Sequence, residues 1–273
     1  AQGILAQAGL AHIDSAMRLL KRPAAAVPVG ATRTVLGPGA WFDHYSNNPL
    51  KVPPSALEAV QRLAPDAEEY IYFGQGKRTK HGSKNFVVSG FEGRIQQKLG
   101  STTLDLHATP EHNKGWSVPE QFRAWLEKHY PSSTGKQRNL CVLKNYRDGL
   151  ESMGEHNDAQ SEPCTPVGSL SVGQTRSIII RENKDSITPG AQRRKFKIDL
   201  SHGDVFMMCG EHFQKKFTHE LPPGDKDMGA RVGIVWRARP VLEGRKEPGV
   251  GSNANTGKAK ANKKKPRRTI VKG

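Results

Sequence analysis

Between Leu140 and Arg237 the apolar residues come in short runs. Leu140–Leu143, Ser169–Gly173 continuing through Arg176 into Ile178–Arg181, Phe196–Leu200, Val205–Met208 and Arg231–Arg237 are separated by stretches rich in glycine, proline, serine and asparagine. Runs this short, either alternating with polar residues or continuously apolar, read as strands covered on one or both faces. One stretch has helical spacing instead. From Val118 to His129, Phe122, Trp125 and Leu126 share a face, and Ser117 with Glu120 three residues on has the form of a capping box. Such a body is mainly β (α+β), with helices on its flanks.

The rest of the chain divides by composition. Residues 1–22 read as a helix stopped by Pro23, and Ala24–Gly39 as a linker with one short strand. Trp41–Tyr45 is an aromatic cluster suited to a core, and Pro53-Pro54-Ser55 opens a helix to about Leu63. Tyr70–Gly74 is a short strand leading into a basic loop over 75–84, with an apolar stretch from Phe86 behind it. Leu104–Gly115 reads as polar surface carrying His107 and His112. From Glu243 the chain has almost nothing to bury and reads as disordered. The expected organisation is an extension over 1–70, a folded domain over 71–240 and a basic tail over 241–273.

The formal net charge of +16 points to a polyanionic partner, nucleic acid first. Ten lysines and arginines against two acids after residue 240 account for half of that excess, so the body is basic as well. The run Lys263–Arg268 suits a nuclear-localisation patch, a nucleic-acid arm or a solubilising end. Three cysteines without a CxxC pair exclude a disulfide framework and suit a reducing, intracellular setting. The chain has no apolar run long enough to span a bilayer, so no membrane is expected. A monomer is the default.

The chemistry is concentrated in His156-x-Asp158. In an extended segment, residues two apart point the same way, so these are two metal ligands on one face. A third must come from elsewhere: His202, His212 and His219 all lie downstream. Two histidines and one carboxylate leaving open positions suit a non-haem iron(II) site, although ligand type alone also admits zinc. Arg231 and Arg237 are six apart, on one face of an extended strand, and a guanidinium fork holds a carboxylate bidentately.

With these residues in view, the chain from about Tyr72 to Pro240 resembles the AlkB-type Fe(II)/2-oxoglutarate-dependent dioxygenases, closest to the animal nucleic-acid repair members. The family pattern is His-x-Asp, a distal histidine, then two arginines six apart. The segment Met208, Gly210, Gln214, Phe217, His219, Leu221, Pro222 matches the pattern around the distal histidine, which selects His219. The resemblance implies a double-stranded β-helix (jelly-roll) core, iron held by His156, Asp158 and His219, and 2-oxoglutarate as cosubstrate. It implies that Arg231 takes the distal carboxylate, that Tyr146 hydrogen-bonds the cosubstrate, that Arg237 lies at the metal-proximal part of the site, and that Lys144, where the family usually has asparagine, is a further cosubstrate-binding residue. The implied reaction is oxidative demethylation of an N-alkylated base in DNA or RNA, single-stranded or flipped out. A lid near 73–90 would carry Phe73, Arg78, Lys80, Lys84 and Phe86 toward substrate, with Gln160, Arg176 and His212 as further substrate-side residues. Alternatives are a dioxygenase acting on protein, or a weakened nucleic-acid-binding module. The chain departs from the pattern at Lys144 and Gly233, both usually asparagine, and at Ala159 and Gln160, where acids are common. The missing side chain at Gly233 predicts a weaker hold on the cosubstrate.

Overall fold

The computed structural model describes residues 26–62, 71–74, 77–80, 83–88, 94–99, 102–107, 117–158, 161, 165–187 and 190–240, with backbone pairing only for the strands between 71 and 107. By compactness the chain divides into Ala1–Leu242 and Glu243–Gly273, and all described residues belong to the first unit. The expected N-terminal helix and the basic tail lie outside the described residues.

Among the described residues the strands are β1 (Thr32–Gly37), β2 (Ala40–Tyr45), β3 (Ile71–Gly74), β4 (Lys77–Lys80), β5 (Ser83–Val88), β6 (Arg94–Leu99), β7 (Thr102–His107), β8 (Leu140–Tyr146), β9 (Met153–His156), β10 (Val167–Gly173), β11 (Arg176–Glu182), β12 (Lys195–Leu200), β13 (Val205–Cys209), β14 (Phe217–Leu221) and β15 (Arg231–Arg237). The helices are α1 (Ala56–Arg62), α2 (Ser117–His129) and α3 (Phe213–Lys216). A major sheet of seven strands is ordered β1-β2-β13-β10-β15-β8-β5, and a minor sheet of four is ordered β12-β11-β14-β9. Antiparallel sheets with such non-sequential neighbours make the jelly roll that the resemblance implied.

Alternation along the major strands builds two cores. Leu170, Val172, Val205, Met207, Val232, Ile234 and Trp236 face Phe122 and Leu126 of α2 and Ala56 and Val60 of α1. The opposite face sends Leu140, Val142, Val167, Phe206, Met208 and Val235 against Ile178, Ile180 and Phe217 of the minor sheet. With both faces covered, β15 is buried at every position. Each large apolar side chain so enclosed contributes about 1.5–3 kcal/mol. The Trp236 indole N–H donates to the Pro119 carbonyl at 2.8 Å, so the largest core residue leaves no donor unpaired.

Several elements differ from expectation. Strands β1 and β2, from the stretch assigned to an extension, join the major sheet, with β2 paired to β13. The basic stretch over 75–84 is mostly ladder: β4 pairs with β3, and β5 with β8. The β6–β7 hairpin, Arg94–His107, gives a strand to the start of the stretch read only as polar surface from Leu104. Residues 169–181 are not one continuous strand. The chain turns at Gly173, φ 102°, where a Cβ would lie 2.5 Å from the Ala230 carbonyl oxygen, and leaves the major sheet for the minor one.

Candidate active site

The antiparallel pairing of β9 with β14 sets His156 directly across from His219. Asp158 lies two residues beyond, and one ligand atom from each of the three falls within 4.8 Å of the others. The His156 Nδ1 donates to the Gly154 carbonyl at 2.8 Å, which leaves Nε2 as the ring's lone-pair nitrogen. Asp158 is fixed from two sides. Its backbone N–H donates to Gln214 Oε1 at 2.7 Å, and its Oδ1 accepts from Arg237 Nη2 at 2.8 Å. Its Oδ2 is buried without a hydrogen-bond partner and stands 3.8 Å from His219 Nε2.

The electrostatics set these groups in their ligating forms. Burial pushes the His219 imidazole down to about 4, and burial reinforced by His219 and Lys144 holds His156 well below its ordinary value. Burial works against the Asp158 carboxylate, but Arg237, His219 and Lys144 together keep it well below the usual carboxylate range. Two neutral imidazoles and one ionised, partly unpartnered carboxylate form a donor set suited to a divalent cation. A bare buried carboxylate oxygen is costly unless something positive meets it.

The triad lies in a cleft of about 450 Å³, counted to its open mouth, whose lining also includes Tyr146, Ser169, Arg231 and Gly233. Arg231 is 4 % exposed. Its Nε donates to Ser171 Oγ at 3.1 Å, its guanidinium lies over the Tyr146 ring at 5.7 Å, and no described acid forms an ion pair with it. Burial pushes Arg231 down to about 10 and the Tyr146 phenol up to about 12, so at neutral pH both keep their protons. A buried guanidinium without a carboxylate favours an anion arriving from outside.

A family model described as the 2OG-Fe(II) oxygenase superfamily matches residues 43–249. The chain belongs to this superfamily. His156, Asp158 and His219 form a 2-His-1-carboxylate triad that fits the Fe(II) of this superfamily. Human DNA oxidative demethylase ALKBH2 is 31 % identical over 116 residues, covering 41 % of this chain and 44 % of that protein. Bovine DNA oxidative demethylase ALKBH2 is 32 % identical over 108 residues, 38 % of each chain. The chain thus spans less than half of the curated animal relatives it matches. Among solved structures, OsALKBH1 superposes with TM-score 0.42 at 16 % identity, over 76 % of this chain and 100 % of that one, a likeness too distant to argue from.

The expected residues divide by their place relative to this cleft. His156, Asp158, His219, Lys144, Tyr146 and Arg231 come together in the cleft. Arg237 stands behind it, committed to Asp158. Two others are elsewhere. Arg176 is 3 % exposed, with its guanidinium given to three backbone carbonyls, so it is not free to meet a substrate. His212 heads α3, its backbone N–H donating to Gly39, and does not line the cleft. His202, a rival for the third ligand, is a structural clip: its Nδ1 accepts from Gly173 at 3.1 Å, and its Nε2 is 3.1 Å from the Val52 carbonyl. Gln160 lies outside the described residues. Phe73, Arg78, Lys80, Lys84 and Phe86 are placed on β3, β4 and β5 by backbone pairing alone. Two contributors have roles that the sequence alone does not assign: Ser171, read only as a strand residue, and Gln214, read only as part of the pattern around His219. Gly233 also takes on a different meaning, because a Cβ there would lie 3.2 Å from Arg231 Nη1. The glycine leaves the Arg231 guanidinium uncrowded on that side.

Proposed function

We propose that this oxygenase removes N-alkyl groups from nucleobases in DNA or RNA and belongs with the animal repair branch of the AlkB-like enzymes. The observation that carries the reading is the 31 % identity to human DNA oxidative demethylase ALKBH2 over 116 residues. When bound, iron(II) and 2-oxoglutarate use O2 to hydroxylate an N-alkyl carbon, which then leaves as formaldehyde while succinate and CO2 are formed. The chain's own residues do the positioning. Arg231, oriented by Ser171, takes the distal carboxylate, and Tyr146 donates its phenolic proton to the same molecule. Lys144 adds positive charge toward the metal end, and Arg237 holds Asp158 so that one oxygen faces the metal. Met153, Ile178 and Leu221 wall the cleft with apolar surface that limits water.

The charge distribution supports a nucleic-acid substrate. Strand β11 pairs with both β12 and β14, and at its end the Asn183 backbone N–H donates to the Lys216 carbonyl at 2.7 Å. Exposed Lys184, Arg194, Lys195, Lys215 and Lys216 therefore collect at one end of the minor sheet. Such cations meet phosphates, which position a strand without reading its sequence.

The test is to supply the protein anaerobically with Fe(II), 2-oxoglutarate and single-stranded DNA or RNA bearing N1-methyladenine, N3-methylcytosine or N6-methyladenine, then admit oxygen. Loss of one methylene mass from the oligonucleotide with matching succinate is the expected result. Succinate without any change in the oligonucleotides would move the substrate outside this class.

A further inference from the structure

Arg176 belongs neither to the cleft lining nor to the metal site, yet it is buried and uses both terminal guanidinium nitrogens. Its Nη1 donates to the Asp148 carbonyl at 3.1 Å, and its Nη2 to the carbonyls of Glu151 and Pro222 at 3.0 and 2.8 Å. Asp148 and Glu151 lie in the loop that runs from Tyr146 at the end of β8 to Met153 at the start of β9. Pro222 follows directly on β14, the strand of His219. The two loops are also joined to each other, because the Gly224 N–H donates to the Gly149 carbonyl at 2.7 Å. They fit so closely that a Cβ at Gly149 would lie 1.7 Å from the Asp225 carbonyl oxygen.

The same guanidinium lies 5.9 Å from the centre of the Tyr146 ring, and that of Arg231 lies 5.7 Å from it. Tyr146 is thus contacted by two arginines, one aimed at the cleft and one tied to backbone. We propose that Arg176 is a positioning residue for 2-oxoglutarate: it holds Tyr146 and the two flanking loops in place, so that the phenol and the Arg231 guanidinium present a ready-made diacid end. This rests on the assignment of Tyr146 and Arg231 to the cosubstrate. A lysine would not replace Arg176, since only a planar fork reaches carbonyls on two separate loops at once.

The test is calorimetric titration of 2-oxoglutarate into Mn(II)-loaded protein without oxygen, in single and paired variants. Arg176→Met is expected to weaken 2-oxoglutarate binding about tenfold while leaving Mn(II) affinity within about twofold. Tyr146→Ala is expected to weaken it by a similar factor. Because Arg176 acts through Tyr146, the double variant should bind no more than about threefold worse than Tyr146→Ala alone. Multiplication of the two single effects, or wild-type binding by Arg176→Met, would overturn the proposal. Should Arg176→Met fail to fold, Arg176→Lys keeps the charge, gives up the fork and carries the same expectation. Arg231→Met provides the check on the underlying assignment. If it binds 2-oxoglutarate as wild type does, the diacid lies elsewhere and this proposal falls with that assignment; if it binds poorly, the Arg176 result stands or falls alone.

Discussion

At Gly233 a missing side chain does the positioning. With a Cβ 3.2 Å from Arg231 Nη1, a larger residue would make the guanidinium give by a few tenths of an ångström. Gly233→Val is therefore expected to weaken 2-oxoglutarate binding about tenfold while metal affinity, measured separately, stays near wild type. The histidines lead to a pH prediction. His219 has its proton affinity lowered from 6.5 to about 4 in the folded protein. The unfolded chain then binds more protons than the folded one between those values, so folding stability rises with pH across that window. Metal-free protein should show a falling melting temperature as pH drops from about 6.5 to about 4. Saturating Mn(II), which binds only the neutral imidazoles, should raise the melting temperature most at the upper end of that range. A flat profile in metal-free protein would contradict the buried, neutral histidine pair.

The elements carry a separate lesson. Helix α2 buries Phe122 and Leu126 completely against the outer face of the major sheet, away from the cleft. Phe122→Ala should cost about 3–5 kcal/mol of stability and leave 2-oxoglutarate affinity unchanged at temperatures where the variant is folded; a parallel loss of affinity would mean that the sheet transmits damage to the site. This helix is legible in the sequence because its apolar spacing is strong. So are β8, β13 and β15, whose sequences are rich in consecutive buried apolar residues, and β12, where apolar and exposed residues alternate. The β6–β7 hairpin is not legible, since only Ile95, Leu99, Leu104 and Leu106 are apolar there and polar residues dominate the ladder. The basic strand β4 is hidden for the same reason. His219 is identified through its motif, whereas the roles of Arg176 and Arg237 depend on which backbone and carboxylate oxygens the fold brings within reach, and neighbouring sequence says nothing about that.

For the molecule as a whole, charge and fold do different work. The jelly roll brings two histidines, a carboxylate and a buried arginine with no described acid beside it into one cleft, while the excess of +16 is spread over the body and the tail. Replacing Lys184, Lys195, Lys215 and Lys216 together with alanine is expected to weaken binding to every oligonucleotide alike. Each phosphate that these lysines no longer neutralise should lower the salt slope for single strands by about 0.7. An unchanged slope would place the nucleic acid on another surface. This fourfold variant should not alter turnover of 2-oxoglutarate at saturating oligonucleotide. The functional reading depends most on the cleft having a metal end and a diacid end. The measurement that tests this most directly is a crystal structure with Mn(II) and 2-oxoglutarate, the metal located by its anomalous signal. The prediction is Mn(II) on His156, Asp158 and His219, with the distal carboxylate of 2-oxoglutarate on Arg231. A metal on other ligands, or a diacid that leaves Arg231 without a carboxylate, would contradict it.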